Sequence, residues 1–277
     1  SHMLAEQTKA ANLEIPPFVA VGGGSVGPGF LGMSYAPFVV GSDGNVRNLK
    51  SDNSERIAQR MAMLASLEKN FVKQQRGQSA QDHANVLEKT VSLMTSKQMQ
   101  AFKVSQEKET MRERYGNTSF GRGCLMGRRL VEQGVPFVEV DLGGWDTHNN
   151  NFRTLEDNKL PELDKAMSAL VSDLAERGLL ADTAVIWMGE FGRTPRINGN
   201  TGRDHWARSW SMVLGGAGMK GGLAIGSTTA DGTDVDSEPY AAQDVMATVC
   251  KSLGISLETT FTSRNGRPMK IANSGKV

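Results

Sequence analysis

Val135-Pro136-Phe137-Val138-Glu139-Val140-Asp141-Leu142-Gly143-Gly144-Trp145-Asp146-Thr147-His148 is the stretch whose reading decides the fold class. It begins with a run rich in β-branched and aromatic residues and breaks into paired glycines, the pattern of a strand emptying into a loop. Just before it, Phe120 to Gln133 reads as a helix with Leu125, Met126, Leu130 and Val131 on its inner side and Gly134 as its stop. After it, helical spacing returns at Leu160, Leu163, Met167, Leu170 and Leu174, closed by Gly178. Thr183 to Met188 is almost wholly apolar, which predicts a strand covered on both faces in a parallel sheet. Ser211 to Leu214 reads as a further strand and Ala241 to Leu253 as a last helix, with Val245, Met246, Val249 and Leu253 in register. This alternation makes the second half of the chain α/β.

Further upstream, Pro16 to Asn53 reads as irregular chain with short strands at Phe18 to Val21 and Phe38 to Val40, expected to drape over a surface or cleft. Ser51-Asp52-Asn53-Ser54 offers N-caps for a helix with Ile57, Met61, Leu64, Leu67 and Phe71 on one side. A second helical run carries Val86, Leu87, Val91 and Met94, and a third covers Ser105 to Arg114 before the Tyr115-Gly116-Asn117 stop.

The 277 residues carry 31 Lys and Arg against 30 Asp and Glu, a net charge of +1 that argues against a generic binder of nucleic acid or anionic membrane. No apolar run approaches the roughly 18 residues of a membrane span. Glycine is plentiful, 31 residues, against a usual share of about 7%. Cys124 and Cys250 are too few and too far apart for a disulfide framework or a zinc ribbon, and both are expected to be buried thiols. Ser1-His2-Met3 reads as the remnant of a cleaved affinity tag.

In open parallel α/β sheets the ligand site lies beyond the carboxyl ends of the strands, which directs attention to the loops. They hold Trp145-Asp146-Thr147-His148, Gly189-Glu190-Phe191-Gly192-Arg193-Thr194-Pro195 and Gly202-Arg203-Asp204-His205-Trp206. Neutral imidazole nitrogen and anionic carboxylate oxygen together suit a borderline divalent ion. The plainer alternative is that Asp146 caps the following helix and His205 is a hydrogen-bonded loop residue. Arg193 and Arg203 beside these loops suit an oxyanion such as phosphate or sulfate, and ordinary loop arginines are the alternative. Asp141, ending the strand, is a further ligand candidate or a turn former, and His83 among Gln81, Asp82 and Asn85 reads as solvated.

Three apparent motifs fail on context. Gly23-Gly24-Ser25-Val26-Gly27 fits the G-x-S-x-G nucleophile elbow, which would make Ser25 a nucleophile, and Gly22, Gly24 and Gly27 fit G-x-G-x-x-G. Both need a helix at once, whereas Pro28-Gly29 follows. Cys124-Leu125-Met126-Gly127-Arg128 has the spacing of the sulfatase signature C-x-P-x-R, but Gly stands where Pro belongs, inside an expected helix.

Phe120-Gly121-Arg122-Gly123-Cys124-Leu125-Met126-Gly127-Arg128-Arg129-Leu130-Val131-Glu132-Gln133-Gly134-Val135-Pro136-Phe137-Val138, continuing to Gly144-Trp145-Asp146-Thr147-His148, resembles a bacterial family catalogued as domain of unknown function 1501. Gly189 to Pro195, Asp204-His205-Trp206, Gly215-Gly216-Ala217-Gly218, Gly221-Gly222, Gly226-Ser227-Thr228 and Arg112-Glu113-Arg114-Tyr115-Gly116 carry the same resemblance. That family looks like a branch of the alkaline-phosphatase and sulfatase superfamily. The resemblance implies an α/β fold with a mainly parallel central sheet flanked by helices, and a metal-dependent hydrolase of phosphate or sulfate esters, including esters on saccharides. It implies metal ligands at Asp146, His148, Glu190, Asp204 and His205, with Arg193 and Glu190 as catalytic candidates. The metal would be zinc or manganese, with calcium or magnesium also allowed.

Two departures qualify what the resemblance implies. Glu190-Phe191-Gly192 stands where relatives carry Asp-His-Gly, so a full two-metal site is in doubt. The family's export signal and its Gly-Gly-Pro-Ser segment have no match, so the chain is expected to lack the family's natural N-terminal part and with it the nucleophile. On this reading residues 4–277 form one domain: 4–53 irregular, 54–134 mainly helical, 135–277 α/β with the site loops. The resemblance places the protein in the periplasm or outside the cell. The competing expectation is a non-catalytic envelope or binding protein that keeps a decayed hydrolase scaffold.

Overall fold

The computed structural model describes residues 13–23, 26–31, 35–44, 59, 60, 62, 63, 66, 93, 96–263 and 265–277. The expected helices over Ile57 to Phe71 and Val86 to Met94, together with His83 and Ser25, lie outside the described residues or almost entirely so. The chain is a mixed α/β protein divided into two compact units, Ser1–Leu142 and Gly143–Val277.

The first unit is built on a three-stranded, all-parallel sheet of β1 (Phe18–Val21), β2 (Phe38–Val40) and β3 (Phe137–Val140), in the order β2-β1-β3. The register sets Val19 opposite Phe38 and Val138, and Phe18 opposite Phe137, whose rings meet edge to face at 4.8 Å. This corrects the expectation of a draped segment: Val19, Ala20 and Val21 are fully buried, because β1 is the middle strand and has a partner on each edge. A four-residue apolar run between turn signals is too short for its sequence alone to separate a central strand from a surface one.

Two helices cover this sheet's sequence neighbourhood, α1 (Glu109–Tyr115) and α2 (Ser119–Glu132). The third expected helix begins later than Ser105, because Lys97–Phe102 and Val104–Gln106 take 3-10 turns first. Thr118 caps α2, its hydroxyl accepting from the Gly121 amide at 3.0 Å. Gly123 and Gly127, one turn apart, face the sheet. A Cβ on Gly123 would lie 2.8 Å from Val140 Cγ1, so the bare backbone lets α2 settle directly on β3. Leu125, Met126 and Leu130 complete the buried face. Cys124 and Arg128 are buried on the same helix, Arg128 against Glu107 at 2.9 Å and Glu132 at 2.5 Å, a structural use of the pair that looked like a sulfatase signature.

The second unit carries α3 (Leu160–Glu176), entered through a turn at Asn151–Thr154 and a π-helical stretch at Leu155–Lys159. It buries Ala166, Ala169 and Leu174. β4 (Val185–Trp187) pairs antiparallel with β7 (Val213–Gly215). The expectation of a parallel strand covered on both faces is therefore corrected: Ile186 and Met188 are exposed, and an apolar run reports burial of its residues only where other elements lie on both faces. β5 (Gly192–Arg193) and β6 (His205–Trp206) form a short antiparallel ribbon. α4 (Ala242–Ser252) and the hairpin of β8 (Thr260–Thr262) and β9 (Pro268–Lys270) complete the unit. Among the described residues the parallel sheet is thus small, with three strands, and the remaining strand pairs are antiparallel, where a mainly parallel central sheet was expected. Cys250 is buried on α4. Among the described residues no helix is long and apolar enough to cross a membrane.

Candidate metal centre

Asp146 and His148 lie on the segment that follows β3 in the chain, and His205 opens β6. The ribbon places Arg193 directly opposite His205, and paired positions of an antiparallel ribbon send their side chains to one face. Backbone bonds then knit this ribbon's connecting loop to the Asp146 segment: Arg203 N donates to Thr147 O at 3.1 Å, Asn150 N to Asn200 O at 3.0 Å and Asn151 N to Thr201 O at 3.0 Å. Asn198 Nδ2 adds bonds to His148 O at 3.0 Å and Asp204 Oδ1 at 3.2 Å. Gly202 sits so close to this segment that a Cβ would fall 1.9 Å from His148 O. One of the surplus glycines therefore has a definite task, allowing two loop backbones to touch.

The result is a compact cluster of Asp146, His148 and His205, one ligand atom of each lying within 4.8 Å of the others. Asp146 Oδ1 is 2.9 Å from His205 Nε2 and 3.0 Å from His148 Nε2, and the two ring nitrogens are 3.2 Å apart. An ion bonded to nitrogen and oxygen at about 2.0–2.2 Å holds neighbouring ligand atoms roughly 3 Å apart, so this triangle has the dimensions of one face of a coordination shell. The donor set, two imidazoles and a carboxylate, fits a borderline divalent ion.

Asp204 occupies the other nitrogen of His148: Nδ1 donates to Oδ1 at 2.6 Å. A carboxylate only accepts, so the Nδ1 proton is fixed and the Nε2 lone pair of the neutral ring is directed at the cluster. This is the arrangement in which a ligating histidine is oriented by a carboxylate behind it. Phe191 packs on His205 with ring centroids 4.5 Å apart and supports that ring from the side.

Arg193 Nη1 lies 2.8 Å from Asp146 Oδ1. That nitrogen is buried and makes no hydrogen bond of acceptable angle, so the contact is an ion pair rather than an aligned bond. The His205 ring nitrogen first, then the Arg193 guanidinium, hold the Asp146 carboxyl down at about 2. His148, followed by Asn198, lowers the Asp204 carboxyl below the usual aspartate range.

Of the residues expected at the site, Asp146, His148, His205 and Arg193 meet, and Asp204 backs His148. Glu190 is exposed and stands outside the three-residue cluster. Arg203 lies over the Phe152 ring at 5.5 Å, and Asp141, also exposed, donates its backbone amide to Val21 O. Asp146 caps no helix, since Asn150 holds that position. Sequence reasoning did not single out Asn198 or Gly202. The signal available for both was the turn-rich Asn198-Gly199-Asn200-Thr201-Gly202 run, which gives no hint of its partner.

These features define a mixed α/β protein with a small parallel sheet and an exposed His/Asp cluster of metal-binding character. The chain belongs to the family described as protein of unknown function (DUF1501), whose model matches residues 2–277. No curated protein and no solved structure matches it.

Proposed function

We propose that the protein is a metal-dependent hydrolase of phosphate or sulfate esters, built on an alkaline-phosphatase-like scaffold and working in the periplasm or outside the cell. The observation that carries the reading is the Asp146, His148 and His205 triangle, with its carboxylate-backed histidine. Three protein ligands leave coordination positions open, which is the habit of catalytic rather than structural sites. A divalent ion there would supply Lewis acidity toward an ester oxygen and lower the pKa of a bound water or hydroxyl.

The chain's own residues have separable tasks. His148 and His205 present ring nitrogens, Asp204 keeps the His148 ring in one tautomer, and Asp146 supplies negative charge that stays ionised at every working pH. Arg193 stands beside the cluster, where a guanidinium can take two oxygens of a tetrahedral anion. Glu190, exposed near the cluster in sequence, is the further carboxylate available to a second ion or to the reacting group.

A non-catalytic binding protein with a decayed site is the second reading, favoured by Phe191. It stands where the resemblance puts a ligating histidine, and it packs on His205 instead of offering a nitrogen. Assay of aryl phosphate and aryl sulfate turnover with zinc, manganese, magnesium and calcium separates the two readings. The assay uses the protein together with any residues its gene encodes before Leu4: turnover abolished by His148→Ala supports the hydrolase, and absence of turnover with every metal supports the binding protein.

A further inference from the structure

Asp146 Oδ1 is contacted by three nitrogen groups at once, and they differ in charge. His148 and His205 can each be neutral, whereas the Arg193 guanidinium is protonated at any working pH. It lies 2.8 Å from the oxygen, nearer than His205 at 2.9 Å or His148 at 3.0 Å. The position is built. Arg193 is fixed opposite His205 by the ribbon register, its guanidinium carbon lies 5.8 Å from the centre of the Phe191 ring, and its side chain is 23% exposed. Nevertheless the N–H directions of Nη1 miss the carboxylate, so the contact is held by charge and not by an aligned hydrogen bond.

A divalent ion bonded to Oδ1 would bring two positive charges to the same oxygen that the guanidinium neutralises. The two cations would then stand a few ångströms apart, and one must give way. We propose that Arg193 is the resident counter-cation of Asp146, displaced when a divalent ion enters between Asp146, His148 and His205, so that metal entry frees a guanidinium for an oxyanion ligand. This rests on the metal reading above and adds an order to it: metal first, anion second. By linkage, the anion that takes Arg193 tightens the hold on the metal by the same factor.

The test is zinc titration of the metal-stripped full chain by calorimetry, for wild type, Arg193→Met and Arg193→Lys, with circular dichroism to confirm folding. Arg193→Met is expected to bind zinc on the order of tenfold more tightly than wild type, and Arg193→Lys, which keeps the charge, close to wild type. Equal or weaker binding by a folded Arg193→Met overturns the inference, because the guanidinium would then be organising the ligands rather than competing with the ion. If no variant takes up zinc, the metal reading itself fails and the inference falls with it. A second titration uses inorganic phosphate. The zinc-loaded wild type is expected to bind it several-fold more tightly than zinc-loaded Arg193→Met, while the two metal-free proteins do not differ. Equal phosphate affinity of the metal-free and zinc-loaded wild type overturns the ordered release.

Discussion

The Nε2 atoms of His148 and His205 face each other at 3.2 Å, although 57 residues separate the two rings in the chain. Two ring nitrogens cannot both carry a proton at that distance, and Asp204 has already assigned the His148 proton to Nδ1. A proton on His205 Nε2 or a metal ion is what reconciles the pair. The first prediction concerns occupancy. The chelated and reloaded protein is expected to hold about one zinc or manganese ion per chain, and His148→Ala or His205→Ala to hold none, as read by metal analysis after desalting. Retention of the metal by both variants would place the ion elsewhere.

Asp204 is expected to act through His148. Asp204→Ala leaves Nδ1 without its acceptor, lets the ring turn or change tautomer, and should weaken metal binding by about 10–100-fold while the chain remains folded. Asp204→Asn, which keeps an acceptor oxygen, should lose less. Calorimetric affinities of the two variants check the order.

Gly202→Ala tests the loop contact. A Cβ there meets the His148 carbonyl at 1.9 Å and Asn149 N at 2.6 Å, both backbone atoms that cannot rotate away. Separation of the loops is expected to cost about 1–3 kcal/mol of stability and to spoil the cluster. Denaturant midpoints and zinc affinity should fall together; loss of stability with unchanged affinity would show that the cluster does not depend on this contact.

In the first unit, Glu107 sits against Arg128, whose side chain is 1% exposed, and Arg129. Burial acts to raise the Glu107 carboxyl, but hydrogen bonds and charge from Arg129 and Arg128 outweigh it and hold the carboxyl below its usual 4.5. A depressed folded value means that this contribution is full above the unfolded value near 4.5 and is lost as pH falls through the lower folded one. Glu107→Gln is therefore expected to cost about 2 kcal/mol at neutral pH, less than a fully broken buried pair because Glu132 still meets Arg128. It should also flatten the stability curve below pH 4.5. Urea unfolding at pH 7 and at stepped acid pH checks both.

The sequence by itself determined most of the described helices and several strands, since periodicity and stops are local: Gly134 closes α2 and Gly178 follows α3, whereas the start of α1 and the Thr118 cap of α2 were not read from it. It also nominated Asp146, His148 and His205, along with Asp204 and Glu190, because imidazole and carboxylate residues fall together in loops beside strand signals. Only the tertiary structure decided what each strand pairs with and which candidate touches which. Phe18–Val21 became a central strand and Val185–Trp187 an antiparallel one through partners 19 to 119 residues away, and an apolar run looks alike in either setting. Likewise, Asp204 took the back of His148 while Glu190 stayed outside the cluster. The ribbon that sets Arg193 opposite His205 and the Gly202 contact arise from closure of distant loops, a property of pairing between segments that no local spacing encodes.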